Sequence, residues 1–200
     1  MAAATVARRD GDVISLGAYG GSLGGLIRAA KFDGGLRLLD VLGAALGVGL
    51  AKGARGDARL REAWLVPVPS HPRRRRKRGP DPSARLARAA ATSAARLAVP
   101  EAGAANAAPR IITVRNRVVP ALRRVRHDRP QSTRTPLERE TNVRQAFALD
   151  PAWRPRLVGR ALVLVDDVLT SGATARAAAA TLVAVGAEVL LLLVVAGPSG

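Results

Sequence analysis

Residues 161–174 read Ala-Leu-Val-Leu-Val-Asp-Asp-Val-Leu-Thr-Ser-Gly-Ala-Thr. An apolar run (161–165) meets two adjacent acids, Asp166 and Asp167; two more apolar residues follow, and then a run of small ones, 170–174. A short apolar run with β-branched residues suits a strand buried on both faces of a parallel sheet. The small residues let the backbone turn tightly and aim its N–H groups into a helix start, which makes a cradle for phosphate. Carboxylates beside such a cradle repel phosphate. They make sense if they grip sugar hydroxyls, or a Mg2+ that travels with the phosphates.

Outward from this stretch, the chain alternates strand and helix patterns. Upstream, strands are expected at 13–18, 63–68, 111–114 and 147–149, and a Gly-rich turn at 19–23. Leu38, Leu39, Leu42, Leu46 and Leu50 mark the apolar face of a helix over 36–50, although its glycines lower helix propensity. Asp81-Pro82-Ser83 caps a helix over 83–97. Residues 52–62 read as a charged connector, 99–109 as a linker, 118–125 as a helical turn, 137–144 as a short helix and 151–155 as a turn. Downstream, a helix over 173–185 ends at Gly186 and a last strand covers 188–195. This alternation predicts an α/β fold with a mostly parallel sheet. Ligands of such sheets bind beyond the carboxyl ends of the strands. The Val68-Pro69-Ser70 strand end and the 170–174 loop are therefore expected to share one site.

Two hundred residues suffice for one domain with a small appendage. Lys and Arg total 32 against 15 Asp and Glu, a net charge of +17. Such a surface attracts polyanions; a bias of the coding composition toward Arg, Ala and Gly produces the same excess. Cysteine is absent, which excludes disulfides and thiolate metal sites. His71 and His127 are the only histidines and lack a second ligand at zinc spacing, so no zinc is expected. The N-terminus has no apolar h-region, and the longest apolar run, 189–196, is far short of the roughly 20 residues of a membrane span. The expectation is a cytoplasmic protein.

Residues 73–78, Arg-Arg-Arg-Arg-Lys-Arg, follow a strand end. They read as a contact for pyrophosphate, as a contact for a nucleic-acid backbone, or as a solvated charge run. The segment around Arg126, Gln131, Arg139, Asn142 and Arg144 is polar and Arg-rich, and reads as a lid or an ordinary loop. Trp64 and Trp153, with two Phe and one Tyr, are too scattered in sequence to form a stacking platform for single strands.

The pattern at 161–174 resembles the phosphoribosyl pyrophosphate (PRPP) signature of type I phosphoribosyltransferases. Three further stretches are similar to the ComF family of phosphoribosyltransferase-like proteins, associated with DNA uptake in competent bacteria. These are 19–32 with its Tyr-x-Gly start and Lys-Phe end; Val66-Pro67-Val68-Pro69 followed by basic residues and Arg78-Gly79; and 126–147 with Gln131, Arg139, Asn142, Arg144 and Phe147 at the family's spacing. The resemblance implies a Rossmann-like parallel sheet of the type I phosphoribosyltransferase fold over 61–200, with a small N-terminal hood over 1–60. It implies a glycosyltransferase of the pentosyl class, or a PRPP-binding protein descended from one. Thr170, Ser171, Gly172, Ala173 and Thr174 would wrap the 5′-phosphate. Asp166 and Asp167 would hold the ribose hydroxyls, directly or through Mg2+, and act in catalysis. Pro69, Ser70, Arg74 and Arg78 would face pyrophosphate, and Arg126, Gln131, Arg139, Asn142 and Arg144 would form the lid. The other reading that it implies is a non-enzymatic competence module binding single-stranded DNA or partner proteins. Three departures stand out. The family's four-cysteine zinc module is absent; Pro80, Asp81 and Pro82 replace the usual Phe-Asn-Gln; and Thr170 stands where purine-type relatives carry an Asp.

Overall fold

The computed structural model describes residues 7–32, 35–70, 81–97, 99–100, 111–125 and 146–197. Strand β8 (Ala161–Val168) lies between β3 (Trp64–Pro67) and β9 (Glu188–Ala196) and runs parallel to both. Strand β2 (Val13–Ser15) pairs parallel with the other side of β9, and β1 (Arg8–Asp10) closes that edge antiparallel. The order is thus β1-β2-β9-β8-β3, a four-stranded parallel sheet with one antiparallel edge strand. Two short antiparallel pairs stand apart from it, β4 (Val99–Pro100) with β5 (Ile111–Ile112), and β6 (Leu122–Arg124) with β7 (Phe147–Leu149).

The apolar run predicts burial on both faces, and the sheet is sandwiched accordingly. Leu162 and Leu164 join Val66, Leu192 and Val194 on one face, under helix α5 (Ala173–Val183) and the β6–β7 pair. Val163 and Val165 join Leu65, Leu191 and Leu193 on the other. There they meet α1 (Gly21–Phe32), α2 (Leu36–Gly53) and α3 (Pro82–Arg96). Each fully buried Leu or Val contributes roughly 1.5–3 kcal/mol, so neither face tolerates a polar residue between positions 161 and 165. Residues on both sides of position 60 build the second of these cores: Leu46 and Leu50 of α2 pack with Leu65 of β3. The fold is α/β, and among the described residues no helix is long and apolar enough to cross a membrane.

The glycines of α2 weaken it as an isolated helix and serve it in the fold. A Cβ on Gly43 would stand 2.6 Å from the Ala89 Cβ and 2.7 Å from the Leu86 carbonyl oxygen. One on Gly47 would collide with the Ala90 carbonyl. Four residues apart, the two glycines form a flat stripe that lets α3 approach α2 at backbone distance. Buried Ala87, Ala90 and Ala94 give α3 a comparably low relief. Arg85 adds a two-pronged ion pair to Asp40 of α2, at 2.8 and 2.6 Å.

Some segments differ from expectation. The strand that the apolar run begins does not stop at Val165 but continues through both acids to Val168. Residues 118–125 form no helical turn. Val118 bridges to Leu65 on the outer edge of β3, and Leu122–Arg124 is extended. The edge of β3 supplies the missing hydrogen bonds, with the Leu65 N–H donating to the Arg117 carbonyl at 2.8 Å and the Val119 N–H to the Leu65 carbonyl at 2.9 Å. The connector over 52–62 contains a 3-10 turn, Ala58–Arg61, and the 99–109 linker starts in strand β4. The 151–155 turn is a 3-10 turn, Pro151–Trp153, leading into the short helix α4 (Arg154–Leu157). Trp64 and Trp153, distant in sequence, meet edge to face with ring centroids 6.2 Å apart. The expected helix over 137–144 lies outside the described residues.

Two outcomes follow for stability. Gly47→Ala is expected to cost about 1–3 kcal/mol in urea denaturation by overpacking the α2–α3 contact. Gly25→Ala in α1, where a new Cβ meets nothing within 4 Å, is expected to stabilise by up to about 1 kcal/mol through helix propensity. The hydrogen bonds from Arg85 hold the Asp40 carboxyl below its usual range, partly opposed by desolvation and helped by the Arg85 charge. A lowered folded-state pKa gives stability that is present above the unfolded pKa and lost as pH falls through the folded one. Asp40→Asn should therefore lower the Tm at pH 7, and its difference from the parent should vanish in acid scans below that carboxyl's pKa.

Candidate functional site

The carboxyl ends of β3 and β8 lie side by side, because the two strands are parallel neighbours. The Val68 N–H donates to the Val165 carbonyl at 2.9 Å and carries this pairing beyond the end of β3. Pro69 is buried and Ser70 half-buried just beyond. Across from them, β8 delivers Asp166 and Asp167, both half-buried, and the 170–174 loop. The Leu169 N–H donates to the Ala196 carbonyl at 2.8 Å and ties the start of this loop to the end of β9.

The loop has the geometry its composition suggests. Gly172 takes φ +74°, a left-handed conformation that a side chain strains, and α5 starts at the next residue. Arg176, one turn into α5, donates from Nη1 to the Ser171 carbonyl at 3.0 Å and braces the loop from outside. The Ser171 hydroxyl accepts weakly from the Ala173 N–H at 3.4 Å. The next two amides, of Thr174 and Ala175, meet no acceptor among the described residues. First-turn amides have no intrahelical partner and carry the positive end of the helix dipole, so they suit an anion. Beside them lies a shallow, open depression lined by Asp166, Thr170, Gly172 and Thr174 among others.

A chain of hydrogen bonds joins the two strand ends. Asp81, the N-cap of α3, accepts from the Ser83 N–H at 3.2 Å with one oxygen. With the other it accepts from the Ser70 N–H at 3.0 Å and the Ser70 hydroxyl at 3.2 Å. Ser83, the one buried polar side chain among the described residues, donates its hydroxyl to Asp166 Oδ1 at 3.2 Å. The same oxygen accepts from the Asp167 N–H at 2.8 Å. Asp81 and Ser83 are legible in sequence only as a helix cap. Their second role needs the tertiary contact to be seen. Arg176 leaves a fainter sequence signal, a cation four residues after the loop glycine.

Among the described residues, no group of three or more His, Cys, Asp or Glu side chains could hold a metal. The donor set therefore fits a Mg2+ that arrives bound to phosphates better than one resident in the protein. Of the sequence-derived site residues, Pro69, Ser70, Asp166, Asp167, Thr170, Ser171, Gly172, Ala173 and Thr174 gather at this end of the sheet. Arg74, Arg78, Arg126, Gln131, Arg139, Asn142 and Arg144 lie outside the described residues, as do His71 and His127.

If the Ser83–Asp166 bond contributes as the geometry indicates, a double-mutant cycle of Ser83→Ala with Asp166→Ala will give a coupling energy of about 1 kcal/mol in denaturant titrations. Additive effects would show that the bond contributes nothing. Asp81→Ala, which removes a cap together with the Ser70 anchor, should cost about 1–2 kcal/mol.

Compared with models of known protein families and with curated proteins, the chain matches none.

Proposed function

We propose that this protein binds a phosphorylated sugar of the PRPP type at the β8–α5 junction, as a member of the type I phosphoribosyltransferase group related to the ComF proteins. The observation that carries this reading is the coincidence, at one strand end, of a left-handed glycine loop opening a helix and a pair of carboxylates. The loop suits a terminal phosphate: Gly172 opens the turn, and the Thr174 and Ala175 amides point their dipoles at the anion. Carboxylates suit vicinal hydroxyls, which a ribose presents and a simple phosphate does not. A protein that held only phosphate would do better without them.

In this reading the 5′-phosphate sits in the 170–174 loop, and Asp166 and Asp167 accept hydrogen bonds from the ribose 2′- and 3′-hydroxyls. Ser70, held by Asp81, borders the neighbouring strand end, where the pyrophosphate of PRPP would lie. A Mg2+ carried by the substrate would neutralise charge on that pyrophosphate. If turnover occurs, an acceptor nucleophile forms a bond to C1′ while the C1′–oxygen bond breaks and pyrophosphate departs with the electron pair.

Calorimetric titration with PRPP, with Mg2+ and with excess EDTA, tests the binding. Charge-assisted hydrogen bonds are worth about 1.5–3 kcal/mol each. Asp166→Asn combined with Asp167→Asn is thus expected to weaken Mg2+-PRPP binding 100-fold or more while leaving inorganic phosphate binding at the loop largely unchanged. Equal PRPP affinity in parent and variant would remove the assigned role of the acids. Pyrophosphate release with a panel of bases and amines then distinguishes a transferase from a binding protein.

A further inference from the structure

Ser83 stands in the first turn of α3, yet its hydroxyl does nothing for that helix. Asp81 already caps α3 by accepting from the Ser83 N–H at 3.2 Å. The hydroxyl is nonetheless buried, in a residue only 2% exposed, and a buried hydroxyl is costly unless it is bonded. It donates to Asp166 Oδ1 at 3.2 Å, the oxygen that also accepts from the Asp167 N–H at 2.8 Å. A helix and a strand thus place one donor each on the same carboxylate oxygen and fill its two lone-pair directions. The last torsion of an aspartate is broad when nothing holds it. This pair of donors narrows it to one orientation.

The helix that holds Ser83 is itself held. Gly43 and Gly47 of α2 admit α3 at backbone distance, and Arg85 pins it to Asp40. Asp81 ties the same turn to Ser70 at the exit of β3. Ser83 therefore does not follow if the Asp166 side chain turns.

We infer that Ser83 is a positioning residue that makes the site selective for ribose over a deoxyribose, by fixing the carboxylate that accepts one of the ribose hydroxyls. The inference rests on the reading of the β8–α5 junction as a site for a ribose phosphate. The Ser83 proton is committed to Asp166, so Ser83 acts through that acid and not on the ligand. A site built to hydrogen-bond a hydroxyl rejects the analogue that lacks it, because its buried polar group is then left unpaired. That rejection requires the acceptor to stay in place; a carboxylate free to turn finds water instead and discriminates less.

The test titrates the full chain calorimetrically with ribose 5-phosphate, with its 2-deoxy and 3-deoxy analogues, and with inorganic phosphate. The parent is expected to bind ribose 5-phosphate about 10-fold more tightly than either analogue, the value of a hydrogen bond to a charged group. Asp166→Ala identifies the analogue whose missing hydroxyl belongs to Asp166, because discrimination against that analogue disappears. Ser83→Ala should lower discrimination against the same analogue about threefold or more. It should leave the affinity for inorganic phosphate and the discrimination against the other analogue unchanged. Ser83→Cys, similar in size and only a weak donor, should repeat the Ala result. Gly47→Ala strains the α2–α3 contact without touching the hydroxyl and should keep the full discrimination. A parent that binds none of these ligands, or binds the three sugar phosphates equally, overturns the ribose reading itself. Discrimination in the parent that survives Ser83→Ala, falls equally against both analogues, or is lost as much in Gly47→Ala overturns the role of Ser83 alone.

Discussion

A strand buried on both faces carries charge only at its ends, and β8 is such a strand. Leu162, Val163, Leu164 and Val165 are all covered, so the first polar positions are Asp166 and Asp167. Acids at the edge of a core need donors, because a desolvated carboxylate without them is costly. For Asp166 the donors include the Asp167 amide and the Ser83 hydroxyl, and Ser83 is in place only because α3 begins directly beside this strand end. The position of α3 rests in turn on α2, whose Gly43 and Gly47 admit it at close range and whose Asp40 holds Arg85. A packing detail on one face of the sheet thus supports an acid at its end.

The same dependence explains why helix propensity misleads for α2. Glycine costs an isolated helix about 1 kcal/mol per residue relative to alanine, and residues 36–53 carry several. Their cost is recovered between helices, where small residues allow backbones to meet and Leu39, Leu42, Leu46 and Leu50 to be buried on the same helix. The Ser70–Asp81–Ser83–Asp166 chain extends this logic. Asp81 caps α3 as its sequence position indicates, and its second oxygen fixes the exit of β3. One residue thereby ties the exit of β3 to the start of α3.

Much of the fold was legible in the sequence where the signal is local. The apolar runs at 63–68, 161–165 and 188–195 mark β3, β8 and β9, and Asp81-Pro82 marks the start of α3. The expected adjacency of the Val68-Pro69-Ser70 strand end and the strand end at Asp166 matches the parallel pairing of β3 with β8. What was not legible depends on partners distant in the chain. Arg123 and Arg124 hide the extended segment at 122–124, whose strand character comes from pairing with Phe147–Leu149. Val118 is extended because β3 offers an edge to it. Ser83 looks like any first-turn serine until the strand it touches is in place. Trp64 and Trp153 read as scattered because nothing in local sequence shows that the entry to β3 and the turn after β7 adjoin.

A parallel sheet also sorts charge from end to end. Helices that connect parallel strands start near the carboxyl ends of those strands and finish near the amino ends, so their dipoles point the same way. Asp81 caps the positive start of α3, and Asp166 lies on the pocket wall that the start of α5 also lines. Lys52 and Arg96 occupy the last turns of α2 and α3. Beyond the end of α5, Gly186 takes φ +82° and its carbonyl accepts from the Gly159 N–H, which brings Arg160 to the negative end of that helix. Acids and cations are each stabilised where the dipoles favour them. The fold therefore separates the carboxylate-bearing 170–174 loop end from an arginine-covered face by the length of the strands.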